Sequence, residues 1–472
     1  MALYNVKRTK IVCTIGPASQ SEIVIRRLIR AGMDVARLNF SHGDYESHRR
    51  VIKTIRQAAQ RLDKPVAILQ DLPGPKIRIG PVKGDRVRLR PGRTLVVTTR
   101  RLIGDDQTVS VEYKRFPRFV KKGDVILLGD GEIELQALRV TGADVYCKVI
   151  VGGVLGSRKG IHLPHGSLDL PSLTKQDKSA LAFGLEHGVD LVAISFVRNR
   201  DDIVNARAQM RRLGTEVPII AKIEKHEALE HIDAILGAVD GVMVARGDLG
   251  LEIPPERIPA LQKMVIRMAN SLGKPVITAT QMLRSMVESP RPTRAEVADV
   301  ANAILDGTDA LMLSEESAVG SYPSRAVETM AKVAVETERS LEPRYQMDGM
   351  ERSIPAAISH AAAALARDLQ VKAFLIPTSS GSTARLIARH RPLQPILALS
   401  PDPKTVKSLC LVWGVYPFRV RAYQTVDTMI RLAQNKALEL GMVKRGDLVG
   451  ITAGLPLHQA GTTNMITVKA VD

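Results

Sequence analysis

Six short runs in this chain end in side chains suited to holding a small, highly charged molecule. They are Arg37-Leu-Asn39-Phe-Ser41-His42, Asp71 followed by Lys76 and Arg78, Lys222-Ile-Glu224, Arg246-Gly247-Asp248, Thr278-Ala-Thr280-Gln281, and Ser314-Glu315-Glu316. Each follows an apolar, β-branched stretch, so each reads as the end of a buried strand. Alternate strand residues share a face, which groups Lys222 with Glu224, and Arg37 with Asn39 and Ser41. Glu224 and Asp248 then converge from successive strands. Two carboxylates, completed by water and substrate oxygens, are a common way to hold Mg2+. Gly247 and Gly250 bracket Asp248, so the chain turns tightly there. A short helix starting at this turn aims free N–H groups at a substrate carboxylate or phosphate. Lys222, Arg37 and Arg78 supply the charge that neutralises a phosphoryl group in flight, which is most of what such a transfer needs from a protein. Stability alone does not explain so many charged strand ends, because unpaired buried charge is costly.

The elements that must position these residues are legible in the same way. Eight apolar runs recur: Thr9–Ile15, Val35–Ser41, Ala67–Leu72, Leu191–Val197, Ile219–Glu224, Gly241–Gly247, Pro275–Thr280 and Ala310–Glu316. None alternates polar with apolar, so each is expected to be buried on both faces, as parallel strands are. Helical patterns separate them. Thr174-Lys-Gln-Asp177 and Thr293-Arg-Ala-Glu296 open two of these helices with capping boxes, and His187-Gly188 and Asp306-Gly307 close them. Val297, Val300, Ala301 and Ile304 make one apolar stripe. Eight β/α units in series predict a (β/α)8 TIM barrel, an α/β fold whose site lies at the C-terminal strand ends. The barrel is expected over 1–74 and 171–340. Residues 75–170 interrupt it with Val, Arg, Gly and hairpin signals such as Gly129-Asp130-Gly131, and read as an inserted β-barrel lid. Residues 341–472 read as a separate α/β domain with strands at 373–376, 396–399, 416–420 and 448–452, reached through a linker at 342–353.

Composition narrows the partners. The chain has 472 residues, with 67 Lys+Arg against 49 Asp+Glu and a net charge of +18, a field that attracts anions. Aromatic residues are only 3% and the basic residues are dispersed, which argues against a base-stacking platform and against nucleic acid as the partner. No apolar stretch reaches the roughly 18 to 20 residues that span a bilayer. The apolar run near the start is too short for a signal peptide. The expected setting is therefore the cytoplasm, without membrane contact. Cys13, Cys147 and Cys410 lie apart in apolar surroundings and read as buried thiols.

Several motifs resemble those of pyruvate kinase: TKIVCTIGPAS at 9–19, RLNFSHG at 37–43, GPKIRIG at 74–80, KIE at 222–224, MVARGDLG at 243–250, ITATQML at 277–283, PTRAEVADVANAILDGTDALMLS at 292–314 and SGSTARLIARHRP at 380–392. The resemblance runs nearly end to end. It implies transfer of the phosphoryl group of phosphoenolpyruvate to ADP, giving pyruvate and ATP. It implies that Glu224 and Asp248 ligate Mg2+ (or Mn2+), and that Lys222 and Arg37 contact the phosphoryl group. Thr280 would sit by the enol carbon, and the backbone at Gly247 and Asp248 would take the substrate carboxylate. Asn39, His42 and Arg78 would lie toward the nucleotide, with a second Mg2+ arriving with ADP. The family is commonly a homotetramer. A barrel lyase or aldolase acting on phosphoenolpyruvate or pyruvate with Mg2+ is the competing reading, and the lid, the GPKIR loop and the last domain argue against it.

Three departures from the family pattern stand out. Many relatives bind K+ near the positions of Asn39, Ser41, Asp71 and Leu72, in a loop reading D-T-K-G-P-E-I-R. Here Leu72 replaces the Thr and Lys76 the Glu. The Lys76 ammonium, a tethered monovalent cation, is expected to make K+ unnecessary. Glu315 replaces a small residue, and Gln176 stands where many relatives place a lysine toward the nucleotide. In the last domain, Thr378, Ser379, Ser380, Gly381, Ser382 and Thr383 follow a strand and open a helix, where hydroxyls and N–H groups cradle phosphate well. The resemblance makes this the seat of a phosphorylated allosteric effector, a sugar phosphate or AMP, with Gly461–Asn464 as the loop that closes on it.

Overall fold

The computed structural model describes residues 7–164, 166, 170–342, 353–457 and 461–472. Eight parallel strands close a barrel: Lys10–Thr14, Val35–Asn39, Ala67–Leu72, Leu191–Ile194, Ile219–Ile223, Gly241–Ala245, Val276–Ala279 and Ala310–Leu313, numbered first to eighth below. The eighth strand pairs back onto the first, Lys10 opposite Ala310 and Cys13 opposite Leu313. Strand residues divide between two packed layers, as the 2-residue period requires. Val12, Leu69, Ala193, Ile220, Met243, Ile277 and Met312 fill the interior, while Ile11, Cys13, Ile68, Val192, Ala221, Val242 and Leu311 pack outward with the helices. Both expected capping boxes form, at Thr174/Asp177 and Thr293/Glu296.

The strands are shorter than the apolar runs, and the reason bears on the site. The sixth stops at Ala245, and Arg246, Gly247 and Asp248 instead begin a helix, Arg246–Glu252. The seventh stops at Ala279 because Thr280 and Gln281 take φ of +73° and +55°. The eighth stops at Leu313, ahead of a helical turn at Glu315–Ala318. Asp248, Thr280 and Glu316 therefore lie just beyond the ladder, whereas Arg37, Asp71 and Lys222 lie within it.

Among the described residues, the regular elements of the inserted segment are all strands apart from two short 3-10 turns. Its strands form a six-stranded sheet and a separate two-stranded ribbon, Arg86–Leu89 with Gly153–Gly156, around one core that includes Ile79, Leu95, Ile126, Leu135 and Val149. The ribbon continues the sheet: the Gly92 N–H donates to the Val149 carbonyl between the two ladders, as an inserted β domain wrapped round one core requires.

The C-terminal sheet runs in the order Val415–Arg419, Ile396–Ser400, Ala373–Pro377, Leu448–Gly454, Thr463–Ala470. The first four are parallel and the last is antiparallel. That last strand was not expected. It begins at Thr463, inside the segment read as a closing loop. Most of the expected linker at 342–353 lies outside the described residues.

This sheet is bolted to the base of the barrel. Arg391, 5% exposed, donates to Asp309 Oδ1 at 2.9 Å, to Asn270 Oδ1 at 3.0 Å and to the Gly307 carbonyl at 2.6 Å, with Trp413 beside its guanidinium. Cys410 and Leu411 join the cluster that fills the barrel interior. All three cysteines are buried free thiols, and burial pushes Cys147 and Cys410 up to about 12. Among the described residues no helix is long and apolar enough to cross a membrane.

Candidate active site

The fifth strand delivers Lys222 to the C-terminal mouth of the barrel. Its ammonium donates to Ser195 Oγ at 2.7 Å and lies 2.8 Å from Glu224 Oε1 and 3.5 Å from Asp71 Oδ1. Burial by itself would lower its pKa. Asp71, Glu224 and Asp248 outweigh that and hold it above the ordinary lysine range, so the group is a fixed positive charge. Arg37 comes from the second strand, 9% exposed. It donates through Nε to Asp71 Oδ2 at 2.6 Å and through Nη1 to Thr14 Oγ1 at 2.9 Å. Asp71 thus stands between two cations, orienting both.

Glu224 is 1% exposed. Its Oε2 accepts from the Phe196 N–H at 2.9 Å, and Phe196 takes φ of +54° to make that contact. Its Oε1 is near Lys222 but off the direction a hydrogen bond requires, so among the described residues it is buried without a hydrogen-bond partner. Burial raises the Glu224 pKa, Lys222 opposes that and Asp248 adds to it, for a net rise. For Asp248 burial also pushes upward, but Lys76 and Lys222 outweigh it and the carboxyl is held low. A hard cation fits this donor set. It would relieve the repulsion between the two carboxylates, which Lys222 alone does not overcome at Glu224.

Beside Asp248, the Gly247 N–H donates to Thr280 Oγ1 at 2.9 Å. The Thr280 hydroxyl in turn donates to the Ala279 carbonyl at 2.6 Å. The left-handed backbone at Thr280 and Gln281 is strained for residues with a Cβ, and Arg246 holds it in place. Its Nη2 donates to the Thr280 carbonyl at 2.8 Å, while Nη1 and Nη2 each meet Asp299 at 2.7 Å. Arg246→Met should therefore let Thr280 shift and lower turnover by about 100-fold, the usual cost of a misplacement near 1 Å. Steady-state kinetics of the folded variant checks this.

The structure gathers Arg37, Asp71, Lys222 and Glu224 into one network and sets Gly247, Asp248 and Thr280 next to it. Asn39, Ser41, His42 and Arg78 stay apart from that network, whereas Asp71 belongs to it and Leu72 joins it through Ser195. Asn39 Oδ1 accepts from the Ser41 N–H at 3.1 Å. Ser41 and His42 are exposed, and Arg78 donates to the Arg158 carbonyl of the lid at 3.0 Å. Leu72 is fully buried, and its carbonyl accepts from Ser195 Oγ at 2.7 Å. Lys76 turns to Asp248, 3.2 Å away. Glu315 is more than half exposed and pairs with Arg284, whereas Glu316 is buried and accepts from the Leu283 and Ser314 N–H groups. Gln176 is exposed.

Sequence reasoning missed Ser195, Thr14 and Arg246 as supports, and Asp177, which accepts from the Gly74 N–H at 3.1 Å and ties the post-lid helix to the lid hinge. Ser195 carried a usable signal, a hydroxyl just past the fourth strand. In the C-terminal domain, Thr378, Ser379, Ser380 and Thr383 line a small recess that Gly461, Thr462 and Thr463 complete. Gly381 precedes the helix Ser382–Ala388 with φ of +79°, and its N–H donates to Thr378 Oγ1.

Comparison with known proteins places the chain in a family. The family model for the pyruvate kinase barrel domain matches residues 6–327, and the model for the pyruvate kinase alpha/beta domain matches residues 356–469. Pyruvate kinase 2 of Synechocystis is 48% identical, over 98% of this chain and 79% of its own length. Pyruvate kinase of Geobacillus stearothermophilus is 45% identical, over 98% of this chain and 80% of its own. The crystal structure of a pyruvate kinase from Cryptosporidium parvum superposes with a TM-score of 0.93 at 36% identity, covering 100% of this chain and 97% of that one. With both domains matched and near-half identity along almost all of its length, the chain belongs to the pyruvate kinase family of phosphotransferases.

Proposed function

We propose that this protein transfers the phosphoryl group of phosphoenolpyruvate to ADP, giving pyruvate and ATP, without a requirement for K+. The observation that carries the reading is the buried Lys222 ammonium, held between Asp71 and Glu224 beside a carboxylate oxygen that lacks a hydrogen bond. Mg2+ or Mn2+, held by Glu224 and Asp248, would supply charge to the substrate oxygens, and a second ion would come with ADP. Lys222 stays protonated and neutralises the phosphoryl group in transfer. Arg37, fixed by Asp71 and Thr14, adds a second charge from the second strand. The substrate carboxylate takes the Gly247 and Asp248 N–H groups. In doing so it replaces Thr280 Oγ1 on Gly247, and the freed hydroxyl orients the water that protonates the enol carbon. Asn39, His42 and Arg78, on the rim and the lid, face the nucleotide.

The residues where relatives hold K+ are already engaged. Asp71 is paired with Arg37 and Lys222, the Leu72 carbonyl with Ser195, and Asn39 with the Ser41 N–H. Lys76 brings an ammonium to the same mouth. Turnover in a buffer free of K+ and Na+ should therefore match turnover with KCl at equal ionic strength. Lys76→Glu should lower the K+-free rate at least about tenfold, by replacing a positive charge near the reacting group with a negative one, and KCl should restore much of it. A wild-type rate that climbs steeply with KCl overturns the K+-independent reading.

The same reading divides the chain into a barrel at 1–74 and 171–340, a lid at 75–170 and an effector domain at 341–472. It makes the recess at Thr378–Thr383 the seat of a phosphorylated effector, with Thr383 Oγ1 and Thr463 Oγ1, 2.6 Å apart, joining its two walls. A cytoplasmic homotetramer is the expected assembly.

A further inference from the structure

Lys76 and a divalent metal compete for Asp248. In this structure the Lys76 ammonium lies on Asp248 Oδ1, on the carboxylate that the metal would also use. A divalent ion repels a neighbouring ammonium strongly, so metal binding favours moving the ammonium off that carboxylate. Its three N–H donors then need an acceptor.

The lid offers one. His162, on the short lid strand Ile161–His162, is 8% exposed, and its Nε2 is buried with no hydrogen-bond partner among the described residues. Gly160 fixes its place relative to Lys76. A Cβ built on Gly160 would meet both His162 Nε2 and Lys76 Cε at 3.1 Å, so no more than twice that distance separates the two atoms. The charged groups that act most on the ring are Lys76, Asp248, Lys225 and Asp130, and Arg198 and Glu227 line the same recess. Burial, with Lys76 and Lys225 adding to it, pushes the imidazole down to about 4, so a ring nitrogen lone pair is free at neutral pH. A buried nitrogen without a partner is costly, and a displaced Lys76 removes that cost.

We propose that His162 is a positioning residue of the lid, which takes the Lys76 ammonium when a divalent metal claims Asp248. Metal occupancy is thereby coupled to the seam between lid and barrel. The inference rests on the reading of Glu224 and Asp248 as metal ligands.

The test is Mn2+ binding to the full chain without substrate, followed by electron paramagnetic resonance, with amide exchange of residues 160–163 as a second readout. His162→Phe should weaken Mn2+ binding about tenfold, the lower end for a group that supports a metal ligand. His162→Gln, which restores an acceptor, should recover most of it. In a Lys76→Met background, His162→Phe should change nothing further, because the ammonium that it serves is gone. Mn2+ should slow exchange at 160–163 in the wild type and in His162→Gln, but not in His162→Phe. Equal Mn2+ affinity in wild type and His162→Phe overturns the proposal. So does an equal loss with and without Lys76, which would make His162 merely structural. Should Asp248→Asn bind Mn2+ as tightly as wild type, the metal-ligand reading fails and the proposal fails with it.

Discussion

Lys222→Met should lower kcat by about 10³-fold or more, with a far smaller change in KM for phosphoenolpyruvate. The methionine keeps most of the volume and removes the charge. The ammonium is not a surface group that solvent could replace. Its side chain is 12% exposed, and it touches Ser195, Asp71 and Glu224. Its stabilisation grows as negative charge moves through the transition state, so its loss falls on kcat. The fixed protonation state adds a second expectation. With its pKa held above the ordinary lysine range by Asp71, Glu224 and Asp248, Lys222 stays protonated throughout the neutral range. The pH–rate profile of the wild type near neutrality should therefore carry no limb from this residue. Single-turnover kinetics on the variant, together with circular dichroism to show that the barrel is intact, checks both points.

The second large effect is on stability. Arg391→Met should destabilise the junction between barrel and C-terminal domain by about 3–5 kcal/mol, the usual result of removing one partner from a buried ion pair. Asp309 would be left at the foot of the eighth strand, 4% exposed, still accepting from the Val276 and Trp413 N–H groups but without its cation. Asn270 and the Gly307 carbonyl would also lose a donor. A chain of several domains need not melt in one step, so the effect should appear as an earlier first transition in calorimetry and as faster proteolysis between the domains. Arg391→Lys should rescue only part of it, since one ammonium cannot reach all three partners in the plane that the guanidinium spans.

Much of the fold was legible in the sequence because parallel barrel strands have a distinctive texture. Runs such as Leu191–Val197 are apolar on both faces, and the helices between them announce their starts with side chains that cap them. The ends of the runs were less legible. The change from strand to helix at Ala245 and the left-handed turn at Thr280 depend on contacts across the barrel mouth, chiefly Arg246 with Thr280 and Asp299. No local pattern encodes those contacts. The antiparallel strand Thr463–Ala470 was missed because it lies at a sheet edge, where intermediate exposure blurs the alternation.

The site divides along the same line. Lys222, Glu224, Arg37 and Asp248 stood out because ionisable groups at the ends of buried strands have no cheap structural use. Ser195 and Thr14 work only through partners on neighbouring strands. The direction of Lys76 also depends on tertiary structure. Its charge suggested a stand-in for a monovalent cation, and only the folded lid hinge shows it resting on Asp248.

The measurement that bears most directly on this account is ATP formation from phosphoenolpyruvate and ADP with Mg2+, followed alongside pyruvate. The account predicts equal amounts of the two products, dependence on ADP, loss on chelation of divalent metal and recovery when Mg2+ is returned. Pyruvate released without ADP, or phosphoenolpyruvate consumed with no ATP formed, would contradict it and point to a lyase or hydrolase built on the same strand ends.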